Sequence, residues 1–209
     1  DRVVSPSRFI ARRLEEAGVR DIVIRPLGVE IDTFHPDRRD RAWLLKKLDL
    51  PDSARLLCFA GRPAREKNIG VLIEAVQRLG APYHLVLVGA GAGMPAEERV
   101  ISLPYEANPK VVAKIIASCD AFVHANDKEP FGLIVLEAMA CGRPVVGVNA
   151  GGVAETVDET VGQLAQSADP THYAQAVEAL FRRDIEAIGQ AARARTVERF
   201  AWNRVFEDL

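Results

Sequence analysis

Much that would mark a specialised class is missing from these 209 residues. Cysteine is scarce: Cys58, Cys119 and Cys141 are odd in number and sit in apolar contexts. A disulfide framework is therefore excluded, and reduced core thiols in a cytosolic protein are expected. There is no excess of basic charge, with 27 Lys and Arg against 29 Asp and Glu. A net charge of -2 leaves no broad basic face for nucleic acid or an anionic membrane. No apolar run is long enough to span a bilayer, and no signal peptide is visible. The four histidines, His35, His84, His124 and His172, are scattered without metal-ligand spacing, and no Asp-x-Asp follows a strand. No metal is expected. Repeats and low-complexity stretches are also absent. The chain opens at Asp1, in the middle of what reads as a strand, so it is expected to be a piece of a longer protein.

What is present is ordinary soluble composition, 48% hydrophobic and 27% charged, and a regular alternation of strands and helices. Arg2–Val4 reads as a short strand, and Ser5-Pro6 as an N-cap with Pro at the first helical position. The helix that follows carries Phe9, Ile10, Leu14 and Ala17 on one face and ends at Gly18. Ile22–Ile24 is a second short strand. Residues 26–36 hold two prolines and no period, which reads as a connection. Charged Asp37–Lys47 reads as a surface helix or a mobile stretch with a solvated face.

From Arg55 the pattern sharpens. Leu56–Ala60 is an apolar strand ending at Gly61, and Ile69, Leu72, Ile73, Val76 and Leu79 mark an amphipathic helix stopped by Gly80. Strands at His84–Val88 and Val100–Leu103, a helix over Pro109–Ser118 and a strand at Ala121–His124 follow. A weak strand at Gly162–Leu164 and helices over Pro170–Arg182 and Asp184–Glu198 close the series. Short apolar strands alternating with helices predict an α/β fold, a doubly wound, Rossmann-like parallel sheet.

One stretch, Asp127-Lys-Glu-Pro-Phe-Gly-Leu-Ile-Val-Leu-Glu-Ala-Met-Ala-Cys-Gly142, stands at the centre. It sets Glu129 and Glu137 eight positions apart, with Pro130 and Gly132 before a helix-prone run over 133–140. Gly142 stops the helix, and Val145–Val148 reads as a buried strand. A helix start at Phe131 and Gly132 offers free backbone N–H groups and a positive dipole end, which suit a phosphate. Carboxylates on either side suit hydroxyls that flank the phosphate, as in a sugar, a diphosphate and a ribose.

Ligands of such sheets sit beyond the carboxyl ends of the strands. Arg62, Arg65 and Lys67 follow Gly61 at that edge and are candidate cations for a diphosphate. The Gly151-Gly152 turn before Glu155 is a third candidate there, where backbone could approach a ligand closely. His124, at the end of its strand, is read first as a packed histidine and second as a pocket residue. Val88-Gly-Ala-Gly-Ala-Gly-Met94 hints at a dinucleotide fingerprint, but its third glycine comes one position early and Pro95 follows.

Gly61-Arg62…Glu66-Lys67-Asn68, the Glu129–Val146 stretch and Gly151-Gly-Val-Ala-Glu155 together resemble the donor-binding domain of a retaining GT-B glycosyltransferase of the group 1 type. The resemblance implies that residues 1–28 are the end of the acceptor domain and the linker. Residues 29–201 would be the nucleotide-sugar donor domain, and 202–209 the start of a helix crossing back to the first domain. It further implies that Arg62 and Lys67, with Gly61 beside them, neutralise the donor diphosphate. Glu129 would bind the donor sugar, with Arg62, Lys67 and Glu129 as the catalytic set. The N–H groups of Phe131, Gly132 and Leu133 would face sugar and phosphates, and Glu137 the ribose. The region of Leu103, Pro104 and Tyr105 would meet the base of a UDP-, GDP- or ADP-linked donor. In that family the glycine-rich segment at 89–93 is a turn after the second strand.

No cofactor or metal is implied; arginine and lysine take the divalent cation's part. The acceptor domain, with the catalytic base, would lie elsewhere in the same protein, along with any contact to a membrane. The parent is expected in the cytoplasm, at most peripheral to a membrane. Two other readings stand beside this one: a non-catalytic nucleotide-sugar-binding module, and a Rossmann-type NAD-dependent oxidoreductase. The second calls for an acid after the strand that follows the glycine turn, where this chain has Pro104-Tyr105.

Overall fold

The computed structural model describes residues 2–91 and 97–207. Gly93, Met94 and Pro95, from the glycine-rich segment, lie outside the described residues. The chain begins with a two-stranded parallel sheet, β1 (Val3–Ser5) and β2 (Ile22–Ile24), joined through helix α1 (Arg8–Glu16). The start of α1 corrects the expected cap. Ser5 is the last residue of β1, paired with Ile24, and its hydroxyl donates to the Ser7 carbonyl. Ser7 is the N-cap, its hydroxyl accepting the Ile10 N–H at 3.2 Å. Pro6 precedes the cap instead of following it. On the expected apolar face of α1, Ala17 is exposed, and the fully buried residue is Ala11.

Residues 37–47 also depart from expectation. Most of them fall in helix α2 (Arg41–Leu48), whose Leu44 and Leu45 are buried in the core. The charges that suggested a solvated face are engaged. Arg41 pairs with Asp120 at 2.9 Å, and Lys114 pairs with Asp40 at 2.8 Å. Asp120 in turn accepts the Leu56 N–H near the start of an inner strand of the main sheet. Ion pairs dock this helix, and pattern reading alone does not count them.

The remaining elements alternate as β3 (Arg55–Ala60), α3 (Ile69–Leu79), β4 (Tyr83–Val88), β5 (Val100–Leu103), α4 (Pro109–Ser118), β6 (Ala121–Val123), α5 (Leu133–Ala140), β7 (Val145–Val148), β8 (Gly162–Ala165), α6 (Pro170–Phe181), α7 (Ile185–Phe200) and α8 (Trp202–Glu207). The six strands β3 to β8 form one sheet in the order β5-β4-β3-β6-β7-β8, with every pair parallel. Successive residues of β3 serve opposite faces: Leu56 and Cys58 join one core cluster, Leu57 and Phe59 the other. Both faces are covered, by α2, α4, α5 and α7 on one side and by α3 and α6 on the other. That is why the strands read as unbroken apolar runs rather than alternating ones. All three cysteines are buried and unpaired.

Strand order reverses between β3 and β6, so their carboxyl ends diverge and leave a crevice. Tyr173 of α6 fixes one wall of it. Its buried hydroxyl donates to the Val146 carbonyl and accepts the His124 N–H at 2.8 Å, tying β6 to β7 just below the crevice. At the chain's end, a bridge between Val29 and Ala201 fastens the connection after β2, and Trp202 fills the space where Gly28 lacks a Cβ. Among the described residues no helix is long and apolar enough to cross a membrane.

Candidate functional site

The crevice holds a cavity of about 400 Å³. Phe59 and Ala60 at the end of β3, Val88 at the end of β4, and Gly61, Gly89 and His124, each the first residue after its strand (β3, β4 and β6), line it. Gly61 and Gly89 turn with positive φ, and a Cβ on Gly89 would come within 2.9 Å of the Gly61 carbonyl. Only glycine at position 89 lets the two strand ends turn this tightly beside the cavity.

Six of the sequence-predicted residues line this one space: Gly61, Arg62, Lys67, Tyr105, Glu129 and Leu133. They come from three separate segments, brought together by the topology. Lys67 lies in a short 3-10 turn, Arg65–Lys67, which Asn68 closes in left-handed conformation. The Asn68 amide donates to the Ala125 carbonyl, binding this turn to the loop after β6. Lys67 Nζ then lies 2.8 Å from Glu129 Oε2. Arg62 is different. Its side chain is 80% exposed at the cavity rim, with a loose contact of 3.4 Å to Glu66. Tyr105 is 79% exposed at the far edge.

Phe131, Gly132 and Glu137 do not line the cavity. Phe131 turns its ring into the core, edge-on to Phe200. Gly132, with φ of 93°, is the N-cap of α5, which has no side-chain cap. Among the described residues no acceptor meets the N–H groups of Phe131, Gly132 and Leu133. They are unpaired at the positive end of the α5 dipole. Glu137 lies one turn further along α5 than Leu133 and Ile134, which both reach the cavity. Arg65, Leu103 and Pro104 are not lining residues either.

The two glutamates differ in charge state. Glu129 Oε2 collects Lys67, the Asn126 amide at 3.0 Å and His124 Nε2 at 3.2 Å. His124, foremost, and Lys67 hold its carboxyl down at about 2, against the opposing effect of burial. The His124 ring is buried, and neither of its nitrogens makes a well-directed hydrogen bond; Nε2 approaches Glu129 off the hydrogen-bond line. Glu137 has no counter-ion or hydrogen-bond donor among the described residues, and burial pushes its carboxyl up to about 7.

Beside Lys67, His124 and Asn126 also support Glu129, and the sequence reading did not include Asn126. The signal for it was there: polar residues at positions 124 and 126, two apart, continue one face of a strand otherwise wholly apolar. The Gly151-Gly152 turn does make a close backbone approach, but to protein. A Cβ on Gly151 would meet the Glu129 carbonyl at 2.9 Å, and Gly152 N–H donates to that carbonyl at 2.7 Å. The turn braces the loop that carries Glu129. Among the described residues no three His, Cys, Asp or Glu side chains gather as a metal site needs.

Chemically, the site offers an ionised carboxylate for hydroxyl groups and a half-buried cation beside it. It adds open amides at a helix start and a second, desolvated carboxyl nearby. Comparison with known proteins bears on that combination. A family model described as "Glycosyl transferases group 1" matches residues 54–183. A D-inositol 3-phosphate glycosyltransferase from Xylanimonas cellulosilytica is 33% identical over 210 residues, covering 91% of this chain and 50% of that protein. A GDP-mannose-dependent alpha-(1-6)-phosphatidylinositol dimannoside mannosyltransferase from Mycobacterium tuberculosis is 31% identical over 213 residues, covering 98% and 55%. Among solved structures, Anabaena HepE in complex with UDP and glucose superposes with a TM-score of 0.86 at 23% identity, covering 99% of this chain and 61% of that one. The chain spans about half the length of the curated relatives it matches.

Proposed function

The chain belongs to the group 1 glycosyl transferases, and from that premise we propose that it is the donor-binding half of a retaining hexosyltransferase. The donor is a nucleotide-diphosphate sugar, and the acceptor a hydroxyl group held by the other half of the parent protein. One observation carries the reading: Lys67 and Arg62 meet Glu129 around a single cavity at the switch point of the sheet. Family membership sets the oxidoreductase alternative aside.

In this reading Glu129 accepts hydrogen bonds from hydroxyls of the donor sugar. Its low carboxyl pKa keeps it ionised across the physiological range, so it always accepts. Lys67 and Arg62 face the diphosphate and stabilise the negative charge that builds on it as the glycosidic bond breaks. No divalent cation is needed for that step. The amides of Phe131, Gly132 and Leu133 supply fixed donors to the same anion. Glu137 takes the ribose hydroxyls, and the base lies toward Tyr105. Retention follows a front-face course, with the departing phosphate accepting the acceptor's proton. We place the parent in the cytoplasm, with any membrane contact made through its acceptor half.

The chain alone is expected to bind nucleotide weakly and to transfer nothing, because the acceptor site belongs to the other half. Calorimetric titration with UDP, GDP and ADP tests this. Binding of one of the three in preference to the others supports the reading and names the base. A folded chain that binds none of them contradicts it.

A further inference from the structure

A closed ring of hydrogen bonds joins α1 to the loop that carries Glu129. Each carboxylate oxygen of Glu155 accepts an N–H from the first turn of α1: Oε2 from Arg8 at 2.9 Å and Oε1 from Phe9 at 2.6 Å. The Ser7 hydroxyl accepts Ile10 N–H and donates to the Pro130 carbonyl at 2.6 Å, next to Glu129. The Gly152 N–H, three residues before Glu155, returns to the Glu129 carbonyl at 2.7 Å. Residues 129–131 are thus held from two sides, by Ser7 and by the Gly151-Gly152 turn. Both holders are themselves tied to the start of α1.

The surroundings of this ring are loose. A cavity of about 450 Å³ opens beside it, lined by Pro6, Ser7, Phe131, Gly152 and Glu155 among others. The elements β1, α1 and β2 otherwise pack chiefly on one another. A junction held by a few polar contacts around a void can move as a unit, whereas a close-packed interface would resist sliding. Ser7 and Glu155 lie 148 positions apart in sequence, so the ring reports on the relative position of the two units.

We propose that Ser7 and Glu155 form a polar latch through which the N-terminal unit sets the position of the Glu129 loop, making Glu155 a positioning residue for the donor sugar. Any rotation of the N-terminal unit either drags residues 129–131 through Ser7 or breaks the latch and frees them. The grip on the sugar is thereby coupled to the seating of that unit. The grip on the base, which lies toward Tyr105, is not.

Amide hydrogen exchange on the 209-residue chain tests the latch without any ligand. Glu155 is exposed, so Glu155→Gln keeps the fold while giving up the charge and one of two acceptors. Faster exchange, by about threefold or more, is expected at residues 8–10 and also at 129–133, with β3 and β4 unchanged. Ser7→Ala, attacking from the other side, gives the same response in the loop. Faster exchange confined to residues 8–10 in both variants overturns the proposal. A second readout rests on the donor reading above. Glu155→Gln lowers the affinity for UDP-glucose or GDP-mannose about fivefold relative to the free diphosphate. An unchanged ratio, in a chain whose wild type prefers the sugar nucleotide, also overturns it. A wild type with no such preference contradicts the sugar-site reading, and the exchange experiment then decides the latch alone.

Discussion

Glu129 and Glu137 stand eight positions apart on one stretch of chain, in opposite surroundings. Glu129, at the loop end, has its charge met by Lys67, Asn126 and His124. Glu137, on the helix, is desolvated and meets no donor among the described residues. The first carboxylate is preorganised by the protein, and a ligand hydroxyl joins an existing network. The second awaits its partner, and a ligand that brings two hydroxyl donors relieves its burial. Their linkage to stability has opposite signs. Glu129 binds its proton more weakly when folded, so its contribution is present above about 4.5 and lost as pH falls toward about 2. Glu137 binds its proton more tightly when folded, so stability is full below about 4.5 and declines as pH rises through about 7.

Removing the charge of Glu129 should have the largest effect. Glu129→Gln in the full-length parent is expected to lower kcat/KM about 100-fold or more, since the sugar grip and the Lys67 pairing are lost together. In the 209-residue chain the same change should cost on the order of 1–2 kcal/mol of stability at pH 7, read by urea unfolding. Glu137→Gln should do the reverse for folding. It is expected to stabilise the chain by about 2 kcal/mol at pH 8 and to flatten the decline between pH 4.5 and 7. Nucleotide affinity would still fall about tenfold if Glu137 takes the ribose as proposed. A Glu137→Gln variant that is less stable at pH 8 than wild type would break the contrast between the two acids. Arg62→Ala should be mildest. The side chain is exposed, so a loss of diphosphate affinity of about threefold is expected, with stability within about 0.5 kcal/mol of wild type.

Most of the parallel sheet was legible because its strands are buried on both faces. Runs such as Leu56–Ala60 and Val145–Val148 have few other readings, and Gly80 and Gly142 mark helix ends sharply. The elements misjudged were those fixed by contacts distant in sequence. Ser5 and Ser7 are equally good caps on local grounds, and pairing of β1 with β2 decides between them. The charged face of α2 became a docked face through Asp120 and Lys114, residues more than seventy positions away. At the site, the glutamates and cations stood out by spacing and type. The support from Asn126, and the bracing of the loop by Gly151-Gly152, depend on how loop backbones meet, which side-chain periodicity does not encode.

The account turns on an ionised Glu129 beside a Glu137 whose charge a nucleotide must complete. Calorimetric titration of the wild-type chain and Glu137→Gln with UDP, GDP and ADP from pH 5.5 to 8.5 tests it most directly. Comparing the two proteins cancels the titration of the diphosphate itself. The prediction is that wild-type affinity for the preferred nucleotide rises with pH and levels off above about 7, an increase that Glu137→Gln lacks. Parallel pH profiles in the two proteins, or a folded wild type that binds no nucleotide, would contradict it.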